Sequence, residues 1–176
     1  GGAYIGNFGF DRHAGEKPKP TTLVRVAPNG EASIAAEDLW FPNGAVITPD
    51  NSTLIIAETR ASRLTAFDIL QNGELKNRRV FAETSNMYPD GICLDEEGAI
   101  WVADPKNKEV IRIKEGGEIT DKLELETRGA YACMLGGNDG KTLFVCTNTG
   151  SGPDIANQRA GKIETTRVKI AKAGRP

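Results

Sequence analysis

Histidine is nearly missing from this 176-residue chain, His13 being its only example. A Ser-His-Asp hydrolase needs a base beside its nucleophile. His13 instead adjoins a Gly/Lys/Pro-rich stretch, Ala14–Pro20, with no serine motif next to it, and reads as an exposed loop residue. Cysteine is also sparse. Cys93, Cys133 and Cys146 are odd in number and form no C-x-x-C pair. Each lies in an apolar run, where cysteine packs as a small hydrophobe, so thiolate chemistry is disfavoured and a reducing, cytoplasmic setting is expected. Neither sign of charge dominates: 22 basic and 24 acidic residues are interspersed, for a formal net charge of −2. That leaves no basic stripe for nucleic acid or a membrane surface. No apolar run reaches the length needed to cross a bilayer. No segment carries a long helical period.

What the chain does have is a succession of short apolar runs. Leu54-Ile55-Ile56-Ala57, Leu64-Thr65-Ala66-Phe67 and Val80-Phe81 are separated by turn signals such as Pro49-Asp50-Asn51 and Gln71-Asn72-Gly73. Runs rich in β-branched and aromatic residues between such turns predict hairpins and an all-β fold. The pattern repeats. Asn7, Glu58, Asp104 and Thr147 end equivalent strands at spacings of 51, 46 and 43. A period of about 40–50 residues with about four strands per unit is the signature of β-propeller blades. A four-stranded unit cannot bury both of its faces alone, so each blade needs a neighbour. The units at 44–83 and 91–126 each read as four strands, whereas the first and last units each read as three. The chain, 1–176, is therefore expected to form a single partial propeller domain of about three and a half to four blades. The remainder of a closed ring would come from upstream sequence or from another chain.

Asn43 and Asp90 carry the clearest chemical signal. Phe41-Pro42-Asn43-Gly44 and Tyr88-Pro89-Asp90-Gly91 lie 47 residues apart, at matching positions just before a blade's first strand. First strands line the channel of a propeller, so residues at their entry can converge on its axis. An amide oxygen and a carboxylate form a hard-oxygen set suited to Ca²⁺, Mg²⁺ or Mn²⁺, with Zn²⁺ also possible. Pro-Asn-Gly and Pro-Asp-Gly are turn sequences as well. Their recurrence at matched positions is what favours a site.

These residues, with Tyr4–Asp11, Asn77–Phe81, Ile100–Asp104 and Met134–Gly137, resemble the SMP-30/gluconolactonase family. The resemblance implies a six-bladed propeller with one divalent metal ion in its channel and hydrolysis of sugar lactones. It implies that Asn43 and Asp90 are metal ligands, that Asp90 is the general base, and that Asp11 contacts substrate hydroxyls. The chain matches about the last three-fifths of a family member. The family's third ligand, a glutamate, and its Arg and Asn substrate contacts have no counterpart here. Weak activity is therefore expected of the chain alone. The alternatives are a non-catalytic module binding calcium or a small polyol, and a fragment that folds by self-association into a homo-oligomer through its open blade edges.

Two further stretches invite functional readings. Gly136–Thr142 has the glycines, lysine and threonine of a phosphate-binding loop, but the required first glycine would fall at Leu135, so a hairpin turn is expected. Asp95-Glu96-Glu97-Gly98 is expected to be a solvated hairpin tip.

Overall fold

A computed structural model describes residues 2–174. Among these there are fourteen strands and no helix, and they form four antiparallel sheets. The first sheet contains β1 (Ala3–Ile5), β2 (Thr21–Val26) and β3 (Ala32–Leu39). The second contains β4 (Pro42–Ile47), β5 (Thr53–Glu58), β6 (Arg63–Ile69) and β7 (Leu75–Glu83). The third contains β8 (Ile92–Leu94), β9 (Ile100–Asp104), β10 (Glu109–Ile113) and β11 (Ile119–Glu124). The fourth contains β12 (Gly129–Gly136), β13 (Thr142–Asn148) and β14 (Lys162–Arg167). Within each sheet the strands follow chain order, as hairpin-linked meanders do. The 3-4-4-3 strand count is the one the sequence predicts, and Gly136–Thr142 is the hairpin expected there.

Period-two alternation places side chains on both faces of each central sheet. On β5, Leu54 and Ile56 pack towards Leu23 and Leu39 of the first sheet. The intervening Ile55 and Ala57 pack towards Ile92, Ile100 and Val102 of the third. On β9, Trp101 and Ala103 face Cys133, Leu143 and Val145 of the fourth sheet. One apolar layer thus lies between each pair of consecutive sheets. Leu54, Ile56, Ile100 and Val102 are all fully buried, and each such side chain contributes about 1.5–3 kcal/mol by burial. The outward faces of the end sheets are open, with Ile34 at 60% and Ile163 at 70% exposure.

Two residues differ from their expected surroundings. Cys146 is exposed rather than packed, because its strand lies in an end sheet with one uncovered face. Asp95 is buried rather than solvated: Arg112 Nε donates to its Oδ2 at 2.6 Å and reaches Glu97 with Nη2. No helix among the described residues is long and apolar enough to cross a membrane.

Candidate functional site

The inner strands β4, β8 and β12 lie side by side, joined where they begin by main-chain bonds. Gly44 N donates to Asp90 O at 3.0 Å, and Gly91 N donates to Tyr131 O at 3.0 Å. The two glycines are needed for this approach. A Cβ on Gly44 would lie 2.5 Å from Asp90 O, and one on Gly91 would lie 2.6 Å from Ala132 Cα. The Pro-Xaa-Gly sequences therefore act less as turns than as points where one inner strand presses on the next.

Asn43, Asp90 and Tyr131 occupy equivalent places, each at a β-bulge. The β4–β5 register shifts between Pro42 and Ala45, and the β12–β13 register shifts between Ala130 and Ala132. Asp90 and Gly91 together face one residue: Asp90 N donates to Ala103 O, and Ala103 N donates to Gly91 O. A bulge breaks the in-out alternation and re-aims a side chain. Here one recurs at the same end of each inner strand.

Asn43 and Asp90 do come together. Both are half-buried, and the Asn43 amide lies near enough to the Asp90 carboxyl to favour its charged form. Thr59, at the end of β5, fixes the pair. Its hydroxyl accepts from Asn43 Nδ2 at 3.3 Å and donates to Pro89 O at 2.6 Å, one residue before Asp90. Burial strips water from the charged carboxylate and raises the pKa of Asp90 to about 6. Asn43 and the Arg12 guanidinium oppose that shift, and the nearby Asp104 charge adds to it.

Asp11 sits at the head of a turn. Its Oδ1 accepts from the amides of His13 and Ala14, both at 2.9 Å, while Oδ2 carries neither bond. The turn holds up Arg12, whose Nη2 donates to Ser151 Oγ at 3.4 Å. The loop after β1 thereby meets the loop after β13, on the side where Arg12 feels the Asp90 charge. Sequence reasoning missed Thr59, Arg12 and Tyr131, since none stands in a repeated motif. Among the described residues no group of three or more His, Cys, Asp or Glu side chains is placed to hold a metal ion. The Asn43–Asp90 pair nevertheless suits such an ion: it joins hard oxygens to a desolvated carboxylate whose charge a cation would stabilise.

Consecutive antiparallel sheets with apolar layers between them define a partial β-propeller. The chain belongs to the SMP-30/Gluconolactonase/LRE-like region family, whose model matches residues 1–149. It is 27% identical over 172 residues to the 6-deoxy-6-sulfogluconolactonase of Pseudomonas putida, a match covering 94% of this chain and 57% of that protein. It is 33% identical over 137 residues to regucalcin of Gallus gallus, covering 76% of this chain and 46% of that one. Among solved structures it resembles a calcium-binding regucalcin from Agrobacterium tumefaciens, with a TM-score of 0.70 at 24% identity, over 88% of this chain and 54% of that one. It also resembles a gluconolactonase from Xanthomonas campestris, with a TM-score of 0.58 at 29% identity, over 70% of this chain and 40% of that one. The chain spans about half the length of the relatives it matches.

Proposed function

We propose that this chain carries the Asn43–Asp90 half of a divalent-metal site for sugar-lactone hydrolysis. The observation behind this reading is the meeting of Asn43 and Asp90 at equivalent bulges on adjacent inner strands, with Asp90 raised to about 6. Family membership supports it. Asn43 Oδ1 and the Asp90 carboxylate would hold the ion, whether Ca²⁺, Zn²⁺, Mg²⁺ or Mn²⁺. When bound, such an ion supplies a Lewis acid that polarises a carbonyl oxygen.

The chain's own residues supply the proton chemistry. Without an ion, burial raises the Asp90 carboxyl to about 6; a bound cation would favour its ionised form, and that carboxylate would serve as the general base. Asp90 takes a proton from water as the water oxygen bonds to the lactone carbonyl carbon. The ring C–O bond then breaks, and the ring oxygen leaves as a hydroxyl by taking that proton from Asp90, which returns to its ionised form. The product is the open-chain hydroxy acid. Thr59 keeps Asn43 beside Asp90 throughout. Asp11, through Oδ2, would contact a substrate hydroxyl.

Two protein oxygens make a weak site on their own, so low turnover is expected of this chain. The test is gluconolactone hydrolysis with each of the four ions, comparing Asp90→Ala with the unsubstituted chain. Ion-dependent turnover abolished by the substitution supports the proposal, and turnover that survives it refutes the role of Asp90. Ion binding with no turnover in either protein would favour the non-catalytic binding module.

A further inference from the structure

Glu58 and Asp104 end β5 and β9, 46 residues apart, and both are fully buried. Neither touches the axial pair through its side chain. Each instead accepts a backbone N–H from the segment that leads into a site residue. Glu58 Oε2 accepts from Trp40 N at 2.8 Å, three residues before Asn43. Asp104 Oδ2 accepts from Tyr88 N at 3.0 Å, two residues before Asp90. Two adjacent blades thus carry the same device: a carboxylate at the end of the second strand grips the chain entering the first.

Both carboxylates are anchored in turn. Arg63 and Thr65 donate to Glu58, and Arg78 reaches it from β7. Burial alone would raise the Glu58 pKa, but the Arg63, Thr65 and Trp40 donors outweigh it and hold the group below its usual value, so it is charged. Asp104 Oδ1 accepts from the amides of Lys106 and Asn107, and Oδ2 also accepts from Asn107 Nδ2. A buried acceptor with this many donors has one stable orientation. The chain it grips is strained. Phe41 has φ 59, an uncommon conformation for a bulky residue, and stacks on Phe8 with ring centroids 4.4 Å apart. Such a backbone persists only where its surroundings over-determine it. The Glu58 grip on Trp40 N and the bond from Thr59 N to Phe41 O supply two of those constraints.

We propose that Glu58 and Asp104 are matched positioning residues, which set the orientation of Asn43 and Asp90 through the backbone of the preceding segment. The fourth sheet differs. There Thr147 takes the equivalent place, and its hydroxyl accepts from Arg128 Nε at 2.9 Å and donates to Glu164 Oε2 at 2.7 Å. The inference rests on reading Asn43 and Asp90 as a shared oxygen site.

The test substitutes Asp104 and reads the site in two ways: Mn²⁺ affinity by calorimetry, and the Asn43 side-chain amide signal by NMR without metal. Asp104→Asn places an NH₂ against Tyr88 N or the Asn107 donors. Asp104→Ser keeps an acceptor for the following turn but cannot span to Tyr88 N, and serves if the first variant does not fold. Ile100→Val, in the same sheet, is the control for plain destabilisation. Loosening a supporting contact should weaken Mn²⁺ binding about 10-fold. It should also move the Asn43 signal, while Ile100→Val lowers Tm and changes neither. Equal effects of the Asp104 and Ile100 variants on both readouts, or no effect of either Asp104 variant, overturn the inference. If the unsubstituted chain binds no Mn²⁺, the metal reading falls, and the Asn43 signal still decides the positioning role.

Discussion

The amide of Gly44 is bonded to the carbonyl oxygen of Asp90, so the blade bearing Asn43 is fastened by main chain to the residue that Asn43 faces. The contact leaves no room for a side chain. Gly44→Ala would put a methyl 2.7 Å from Ile92 N as well as 2.5 Å from Asp90 O, and only backbone movement relieves that. The expected cost is about 3 kcal/mol, as for other substitutions that force packed backbone apart. Gly161→Ala meets nothing within 4 Å and is the control. Thermal unfolding of the two variants checks this: Gly44→Ala should melt well below the parent and Gly161→Ala close to it.

The raised pKa of Asp90 makes a signed prediction about pH. The folded chain holds this proton up to about pH 6, whereas an ordinary aspartate releases it near 3.8. Between those values the folded state binds more protons than the unfolded one. Stability from this group is therefore full below the lower value and lost as pH rises through the upper one. Asp90→Asn removes the charge and should stabilise the metal-free chain near neutral pH by up to about 3 kcal/mol. The gain should vanish near pH 4. Melting curves in a chelator at the two pH values provide the measurement, and a variant that melts lower at neutral pH contradicts the burial argument.

Thr59→Val keeps the shape of the side chain and removes both of its bonds. Asn43 Nδ2 loses its acceptor and Pro89 O its donor. A part-buried pair of unmade bonds costs about 1–3 kcal/mol. The larger expected effect is on the site, where Asn43 is freed to rotate. Mn²⁺ affinity should fall more than the melting temperature suggests, which titration at a fixed temperature resolves.

Two ion pairs should differ sharply in worth. Arg112–Asp95 is buried on both sides, at 4% and 0% side-chain exposure, whereas Arg79–Asp68 is open, at 40% and 39%. Asp95→Ala leaves a buried guanidinium without its nearest partner, at a cost of about 3–5 kcal/mol. Asp68→Ala should cost far less, because solvent screens an exposed pair. Urea unfolding of the two variants separates them.

The blades were legible because period-two alternation and turn residues are local signals. Leu54–Ala57 and Ile100–Ala103 announce strands buried on both faces, and the recurrence of Pro-Xaa-Gly marks the blade period. The meeting of Asn43 with Asp90 was legible for the same reason. The rest of the site depends on partners that no local pattern names. Arg12 meets Ser151 across 139 residues of sequence. Tyr131 holds the third equivalent place, but Gly129-Ala130-Tyr131 lacks the Pro-Xaa-Gly frame. Asp95 looked like a solvated turn because its counter-charge lies 17 residues away, across the sheet. Cys146 looked like core because an apolar run does not reveal which of its faces is left uncovered.

The layered packing also sets the order in which the molecule comes apart. Each central sheet is held on two flanks, while β1 and β14 lie in sheets held on one. Amide protons should thus exchange first at the two ends and last in β5 and β9. Those are the strands whose tips carry Glu58, Thr59 and Asp104. Fraying that consumes either end would leave Asn43 and Asp90 in place until the middle itself gives way.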